Sequence, residues 1–332
     1  MKWIVVSNRP SRRTEYWLKA ARDAGREAGF MTYDALRQQW PDLQDVTIKL
    51  EPWIGEETDY LRHAQTNADY RAMLHELGNR ILPRRVRFLN TPEALLLAAD
   101  KLASKARLLE AGLKATPLVG TPHSFDELKN LLADCRRSCF LKPRYGSGAG
   151  GILAIRHQAH ANRWVVYTTL QETDGHFRNT KRINRLTRES DIARLAEAVI
   201  RTDAILEEWI PKADWEGMTY DLRTVCRGDT VDHTVVRCSQ GAITNLHLNN
   251  HARRWDELPL DESVRQAVCR QSIRARQVIG LHYAGIDLLL EKGTLTPVII
   301  EVNGQGDHIY QDMFDDNLIY KNQLLEPDQP CS

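Results

Sequence analysis

The sequence predicts an α/β fold in which an open α/β domain precedes regions that mix helices with antiparallel strand pairs. At the start, the apolar run Trp3–Val6 is typical of a buried parallel strand, and a helical pattern over Thr14–Ala28 follows it. In the middle, two strand-like runs, Arg163–Gln171 and Phe177–Leu186, flank a short turn. Towards the end, a turn at Gly293 joins two apolar, β-rich runs.

The composition is that of a globular protein without a strong charge bias. Of the 332 residues, 42% are hydrophobic and 27% are charged. This length predicts two or three domains, or one composite fold. The formal net charge is +1, so the bulk charge does not indicate a polyanionic partner, and we expect no nucleic acid.

The cysteines are scattered along the chain, at Cys135, Cys139, Cys226, Cys238, Cys269 and Cys331. No C-x-x-C pair occurs and no histidine cluster completes a zinc pattern, so we expect free thiols in a reducing cytoplasm. The first apolar run is too short for a signal peptide. No apolar run approaches the roughly 18 residues of a membrane helix, so no membrane partner is expected.

The N-terminal region reads as a β-α-β unit. Gly29 is expected to end the first helix, and Phe30–Tyr33 and Val46–Leu50 are further strand candidates. The region lacks the glycine-rich dinucleotide fingerprint, which argues against a nicotinamide cofactor. A basic run follows, formed by Arg84, Arg85 and Arg87. Such a run is more often a solvated face than a site, and we assign it no function.

A long helix is predicted from residue 91 to residue 112. Thr91 can cap it, Pro92 suits the first helical position and Gly112 suits its end. The expected buried stripe, with a spacing of seven residues, is Leu95, Leu102 and Leu109. Lys101 and Lys105 lie four residues apart and share the opposite flank. Two helical lysines alone indicate only a solvated surface.

A lysine followed by a glycine-rich loop is the first pattern that indicates a ligand. Lys142 ends a predicted strand, and a new strand begins near residue 152. The loop between them contains Gly146, Ser147, Gly148, Ala149, Gly150 and Gly151. Glycines let backbone N–H groups approach an anion, and lysine adds a point charge for phosphate. The loop is not a Walker loop, because no G-K-[ST] ends it and a strand follows. A flexible hairpin without a ligand is the alternative, and the four glycines favour phosphate binding.

Polar residues interrupt two later strands. Glu207 and Glu208 break the apolar run Ala204–Ile210, which suggests contact with a bound group. Asp221 and Arg223 are two residues apart, so they lie on one face of their predicted strand.

The C-terminal hairpin brings three oxygen donors together. Its strands are predicted at Ile286–Leu290 and Val298–Val302. Strand alternation puts Glu301 and Asn303 on one face, and a symmetric turn places Asp287 opposite Glu301. Two carboxylates and an amide suit a hard cation, and Mg²⁺ is the expected one. The alternative is a hairpin with solvent-facing polar residues, which the strongly apolar neighbours disfavour.

In chain order these motifs resemble those of the ATP-grasp superfamily, and most closely the branch of ribosomal-protein glutamate ligases and glutathione synthetase-like enzymes. The resemblance covers Asn90–Gly306. It implies the ATP-grasp fold, with an N-terminal α/β domain (1–89), a central α+β subdomain with a glycine-rich lid (90–206) and a C-terminal α+β subdomain with the metal site (207–330). The two subdomains are expected to clamp ATP.

The resemblance also implies residue roles. The residues expected to contact the nucleotide are Lys101, Lys142, Gly146, Ser147, Gly148, Gly150, Glu207, Glu208, Trp209 and Asp221. The acyl group and the transferred phosphate are expected to be held by Arg223, Arg237 and Asn245. The metal ligands are Asp287, Glu301 and Asn303, expected to hold two Mg²⁺ ions, with Mn²⁺ as an alternative metal.

Three departures from the glutamate-ligase pattern lie on the acceptor side. Ile243 stands where that branch has a basic residue, and Leu248, Asn249 and Asn250 replace an arginine and paired glycines. Residues 304–308 replace a small, proline-containing segment. These changes bear on substrate identity rather than on nucleotide binding.

The implied activity is ATP-dependent ligation of a carboxylate, on a small molecule or a peptide, to an amine acceptor through an acyl phosphate. Two other functions stay open at this point. One is an ATP-grasp kinase or phosphotransferase with the same ATP site. The other is a catalytically silent nucleotide-binding regulator, which the retained lysines, arginines and metal ligands disfavour.

Overall fold

The computed structural model describes residues 2–55, 59–146, 150–158, 161, 163–241, 243–244, 251–306 and 317–325. Within these ranges the strands form three sheets, one of four strands and two of six. Helices pack between and beside the sheets, which confirms the predicted α/β fold class.

The first sheet is open and parallel, with the strand order β2-β1-β3-β4. Its strands are β1 (Lys2–Ser7), β2 (Ala28–Thr32), β3 (Val46–Leu50) and β4 (Val86–Phe88). Its helices are α1 (Arg12–Asp23), α2 (Tyr33–Gln39) and α3 (Tyr60–Gly78), and a 3-10 turn covers Trp40–Asp42.

The second sheet, which we call the central sheet, has the order β5-β10-β6-β7-β8-β9. Its strands are β5 (Leu118–Gly120), β6 (Cys139–Pro143), β7 (Leu153–Gln158), β8 (Arg163–Thr173), β9 (His176–Leu186) and β10 (Ala204–Glu208). Helices α6 (Phe125–Cys135) and α7 (Glu189–Ile200) pack on this sheet, whereas α4 (Pro92–Ala99) and α5 (Lys101–Glu110), which precede it in the chain, contribute to the core of the other two sheets. All of its strand pairs are antiparallel.

The third sheet has the order β14-β13-β12-β15-β16, and β11 pairs with β12 beside it. Its strands are β11 (Asp214–Trp215), β12 (Met218–Arg227), β13 (Thr230–Ser239), β14 (His251–Arg254), β15 (Tyr283–Leu290) and β16 (Pro297–Asn303). The helices are α8 (Glu262–Ile279) and α9 (Leu318–Gln323), with a 3-10 turn at Trp255–Glu257. Within the described ranges, no helix combines the length and the apolar character needed to cross a membrane.

The N-terminal sheet and the third sheet share one hydrophobic core. Ile48 of β3, Leu108 of α5, Ile279 of α8 and Ile286 of β15 all belong to it, and each is buried. The central sheet has a different core, in which Trp164 of β8 packs among apolar residues of α6, α7 and β6. The central sheet is therefore stabilised largely by its own contacts.

The first predicted helix is wrong at both of its ends. It begins at Arg12, because Ser11 caps it by accepting from the backbone N–H of Thr14. It ends at Asp23, and Gly25 follows in the left-handed region with φ of +63°. The released segment, from Ala28 onwards, pairs with β1 as strand β2 instead of continuing the helix.

The predicted helix over residues 91–112 is two helices, with a break at Asp100. The backbone of Asp100 is extended, and its carboxylate accepts from the N–H groups of Leu102 and Ala103, so it caps α5. The break resets the helical phase. As a result Leu95 is buried, Leu109 is 46% exposed, and the predicted continuous leucine stripe is wrong.

The two predicted hairpins are confirmed. β8 and β9 meet at Asp174 and Gly175, both with positive φ, as the favoured two-residue turn requires. In the second hairpin Asp287 of β15 lies directly opposite Glu301 of β16.

Candidate active site

Four buried polar side chains form a first cluster on the central sheet, the Glu207 cluster: Lys105, Thr116, Lys142 and Glu207. Lys142 Nζ lies 2.8 Å from Glu207 Oε2, and Lys105 Nζ lies 3.2 Å from Glu207 Oε1. Thr116 Oγ1 accepts from Lys105 at 2.5 Å and donates to Glu207 at 2.9 Å. One carboxylate is thus held by two lysines and a hydroxyl.

The strand register explains this arrangement. β10 runs antiparallel to β6, with Ile205 opposite Lys142 and Glu207 opposite Phe140, so the lysine and the glutamate are diagonal neighbours on one face. Lys105 reaches the same point from α5. Thr116 is fixed by its backbone N–H, which donates to the carbonyl of Ile299 at 3.0 Å.

The electrostatics of the Glu207 cluster are set by burial and by the excess of cations. Burial alone would raise the pKa of Glu207, but the charges of Lys142 and Lys105 outweigh it and lower that pKa to about 2. Burial lowers the pKa of Lys105, and the Glu207 carboxylate opposes that change. Two lysines facing one acid leave positive charge for an anionic ligand.

Lys101 connects the start of the glycine-rich loop to the carboxylate of Glu301. Its Nζ donates to the carbonyl of Gly146 at 2.5 Å and lies 3.5 Å from Glu301 Oε1. Gly146 has φ of +127°, which favours glycine there. At the far side of the loop, Gly150 lies in a turn and the Gly151 N–H donates to Asn179 Oδ1 at 3.0 Å. Both ends of the loop are therefore anchored.

The strand end after Glu207 has a different environment. The Glu208 carboxylate pairs with Arg137 at 2.5 Å and takes no part in the Glu207 cluster. The Trp209 N–H donates to the carbonyl of Ser138 at 2.8 Å, and its ring lies 5.1 Å from that of Phe140. Backbone and ring contacts, rather than the Glu208 side chain, define this end of the site.

A second group of polar side chains, the Asp287 cluster, lies on the third sheet: Lys212, Asp221, Arg223, Arg237, Thr244, Asp287, Glu301 and Asn303. Arg223 Nε donates to Asp287 Oδ1 at 2.6 Å. Arg237 bridges two acids, with Nε 2.6 Å from Asp221 Oδ1 and Nη2 3.2 Å from Asp287 Oδ1. The arginines therefore join both carboxylates into one network.

Asp221 is the buried end of that network. Lys212 Nζ donates to Asp221 Oδ2 at 2.8 Å, and the Thr244 hydroxyl donates to the same oxygen. Burial lowers the pKa of Lys212, and the charge of Asp221 opposes that change. For Arg237 burial would lower the pKa, but Asp221 and Asp287 raise it. The opposite charges of these side chains therefore offset the cost of burying them.

The residues predicted as metal ligands are close together and are hard oxygen donors. Asp287 and Glu301 face each other across the hairpin, and Asn303 Nδ2 lies 3.5 Å from Asp287 Oδ2. A flip of the amide would place its oxygen there instead. Burial would raise the pKa of Asp287, but Arg223 and Arg237 lower it, so the carboxylate is anionic. The donor set fits Mg²⁺, although the described residues contain no group of three His, Cys, Asp or Glu side chains arranged for a metal.

Three further predicted site residues lie outside the described residues: Ser147, Gly148 and Asn245. Sequence reasoning missed four members of the two clusters: Lys105, Thr116, Lys212 and Thr244. Lys105 was visible as a partner of Lys101 on one helix face, but it reads as solvated until its burial is known. The other three have no local pattern, because their partners are distant in sequence.

Comparisons with known proteins agree with this architecture at the level of fold. No family model matches the chain, and no curated protein matches its sequence. Among solved structures, the D-cycloserine synthetase DcsG matches with a TM-score of 0.62 at 14% identity, covering 98% of both chains. The macrocyclase MdnC from Microcystis aeruginosa, bound with precursor peptide MdnA, matches with a TM-score of 0.59 at 14% identity, covering 97% of this chain and 98% of that chain.

Two further solved structures extend the same likeness. The D-alanine–D-alanine ligase from Bacillus anthracis has a TM-score of 0.54 at 13% identity and covers 92% of this chain and 86% of that chain. The ATP-grasp ligase PsnB, in complex with a minimal precursor, Mg and ADP, has a TM-score of 0.56 at 13% identity, over 97% and 96% of the two chains. The chain therefore has the fold of the ATP-grasp ligases.

Proposed function

We propose that the protein is an ATP-dependent ligase that joins a carboxylate to an amine. The observation that carries this proposal is the pair of charge clusters within one ATP-grasp fold. The Glu207 cluster offers buried lysines, and the Asp287 cluster offers paired carboxylates with two arginines. Phosphoryl transfer needs this combination of positioning and charge neutralisation more than covalent help from the protein.

The nucleotide would lie between the domains that we propose at 90–206 and 207–330. Lys101, Lys105 and Lys142 would neutralise its phosphates, and the loop from Gly146 to Gly150 would cover them. The backbone after Glu207 would meet the adenine. Lys105 is an addition to the residues expected from sequence, supported by its 3.2 Å contact with Glu207 beside Lys142.

Asp287, Glu301 and Asn303 would hold Mg²⁺, as two ions, with Mn²⁺ as a substitute. Bound there, the metal would neutralise charge that develops on the phosphates. Arg223 and Arg237 are placed to hold the acyl group and the transferred phosphoryl group, since an arginine fork suits carboxylate and phosphate alike. Asn245 would assist them.

The chemistry has two balanced steps. A carboxylate oxygen attacks the γ-phosphorus of ATP, the bond to the β-phosphate oxygen breaks, and an acyl phosphate and ADP form. The neutral amine then attacks the acyl carbon, the C–O bond to phosphate breaks, and the nitrogen loses a proton as the amide forms. The chain's arginines would hold the acyl phosphate, and the covering loop would keep water from it.

Amino acids and peptides are the substrate classes that the structural likeness favours. The similar structures are named as a D-alanine–D-alanine ligase, a macrocyclase bound with a precursor peptide and a ligase in complex with a minimal precursor. These names suggest which carboxylates and amines to test first, while the fold alone does not select among them.

A screen of ADP release against amino acids and short peptides, with products identified by mass, tests the proposal. A ligase gives ADP, phosphate and a product lighter by one water than its two substrates. ADP with a stable phosphoester would instead identify a kinase. Nucleotide binding without ADP release for any carboxylate and amine pair would contradict the ligase proposal.

A further inference from the structure

Strand β9 is the outer edge of the central sheet and is strongly basic. From residue 176 to residue 188 the chain has no Asp or Glu and has five cations: Arg178, Lys181, Arg182, Arg185 and Arg188. The whole protein has a formal net charge of only +1, so this segment is a local concentration of charge.

Four of these cations are exposed and available. Arg178, Lys181, Arg182 and Arg185 are exposed. Within the described part of the chain, none of these four side chains has a salt bridge. Arg188 differs, because its Nε lies 3.9 Å from Asp191. A row of exposed cations on an edge strand attracts a partner of opposite charge.

A bulge lies at the centre of the row. Thr168 pairs with Asn184 and Leu170 pairs with Asn179, so one residue of β8 faces four residues of β9. The Thr180 hydroxyl stabilises the bulge by donating to the carbonyls of Thr169 at 3.3 Å and Arg182 at 2.9 Å. The bulge thus presents Lys181 and Arg182.

The bulge also lies beside the candidate active site. On one side Asn179 accepts from the N–H of Gly151, at the end of the glycine-rich loop. On the other side a Cβ placed on Gly241 would lie 3.7 Å from Cδ1 of Ile183. Gly241 is three residues before Thr244, which donates to Asp221 in the Asp287 cluster. Lys181 and Arg182 lie in the chain between these two contacts.

We propose that the β9 bulge, with Arg178, Lys181, Arg182 and Arg185, binds an acidic peptide segment, and that the ligase acts on an acidic polypeptide rather than on a free amino acid. The second half of this statement rests on the proposed function. An acidic segment next to the acceptor or donor group would pair with the bulge while the reacting end reaches the Asp287 cluster. Charge complementarity and position together support this partner.

A peptide fits this surface better than a nucleic acid does. Binding of single-stranded nucleic acid usually combines cations with exposed aromatic rings on which bases stack. The aromatic residue of β9, Phe177, is 7% exposed and packs in the core of the central sheet. The strand therefore offers charge without a stacking surface.

Binding of fluorescein-labelled hexaglutamate, measured by anisotropy on the full-length protein without ATP, tests the docking surface. The double variant Lys181→Glu/Arg182→Glu should weaken binding by roughly tenfold or more, because attraction becomes repulsion. A milder variant, Lys181→Ala/Arg182→Ala, should weaken it less and controls for misfolding. Raising the salt concentration should weaken binding to the natural sequence more than to either variant.

The matched control reverses two exposed cations elsewhere, in Arg22→Glu/Arg84→Glu, with the same change in net charge. This control should bind the peptide within about twofold of the unmodified protein if the surface is local. Equal losses in both double variants, or no loss in either β9 variant, would overturn the proposal. Displacement of the peptide by single-stranded RNA at equal charge concentration would overturn it as well.

The outcomes separate this inference from the proposed function. ADP release with free amino acids and no β9-dependent peptide binding would refute the docking surface alone. Peptide binding that depends on β9, without ADP release for any substrate pair, would refute the ligase proposal and leave the docking surface intact.

Discussion

The Glu207 cluster and the Asp287 cluster hold buried charge with different sets of side chains. In the Glu207 cluster one carboxylate faces two lysines, so positive charge is left over. In the Asp287 cluster, Asp221 and Asp287 share Arg237, and each has a further cation of its own. Under the proposed function, the first cluster would receive an anionic group, while the second would supply carboxylates to a metal and arginines to an acyl or phosphoryl group.

The largest expected effect is on turnover, from the carboxylates of the second cluster. Asp287→Ala or Glu301→Ala should lower turnover roughly a thousandfold, because each would remove a metal ligand. This factor corresponds to a loss of about 4 kcal/mol of transition-state stabilisation. Asp256→Ala, at an exposed carboxylate of the 3-10 turn Trp255–Glu257, is the control. ADP release under saturating Mg²⁺ is the measurement, and full activity in both site variants would remove the metal assignment.

The next effect is on stability, from the single acid of the first cluster. Glu207→Gln should lower the free energy of unfolding at neutral pH by about 3–5 kcal/mol, since Lys105 and Lys142 lose their buried counter-charge. Urea unfolding with a fixed slope across variants measures this change. An unaltered midpoint would show that the lysines are stabilised by other groups.

The loss of stability caused by Glu207→Gln should depend on pH. The pKa of Glu207 is lowered from 4.5 to about 2, so its ionised form stabilises the protein above pH 4.5. That contribution is lost as the pH falls from about 4.5 towards 2, because the unfolded chain takes up the proton first. The difference in stability between the natural protein and Glu207→Gln should therefore shrink over this interval.

A smaller effect is expected on nucleotide affinity. Lys142→Ala should weaken binding of a non-hydrolysable ATP analogue by about 1.5–3 kcal/mol, the usual value of a charge-assisted contact. Lys105→Ala and Lys101→Ala should act in the same direction, and Lys129→Ala, at a surface lysine of α6, should not. Calorimetric titration measures these affinities. Affinities equal to that of the natural protein in all three lysine variants would refute phosphate binding by the lysines.

The smallest effect concerns how Lys105 is positioned. Asp100 caps α5 and pairs with Arg144, with Nη2 2.6 Å from Oδ2. Asp100→Ala should cost about 1 kcal/mol of stability through the lost cap, whereas Asp100→Asn keeps the cap and should cost less. Thermal unfolding of the two variants measures the difference, and equal losses would show that the Arg144 pair dominates.

The sequence predicted those parts of the site that depend on local geometry. Asp287 opposite Glu301 follows from strand alternation about a short turn, which involves few residues. Lys105 could not be predicted, because the break at Asp100 resets the helix phase and is stabilised by Arg144, which is distant in sequence. Lys212 was missed for a similar reason, since its burial against Asp221 appears only once β12 is in place.

A double-mutant cycle tests most directly the central claim that the two clusters form one nucleotide and metal site. The affinity of a non-hydrolysable ATP analogue with Mg²⁺ would be measured for the natural protein, Lys142→Ala, Asp287→Ala and the double variant. One ligand that contacts both clusters couples them, so the two losses should differ from additivity by roughly 0.5 kcal/mol or more. Additive losses, or an Asp287→Ala variant that binds as the natural protein does, would contradict the account.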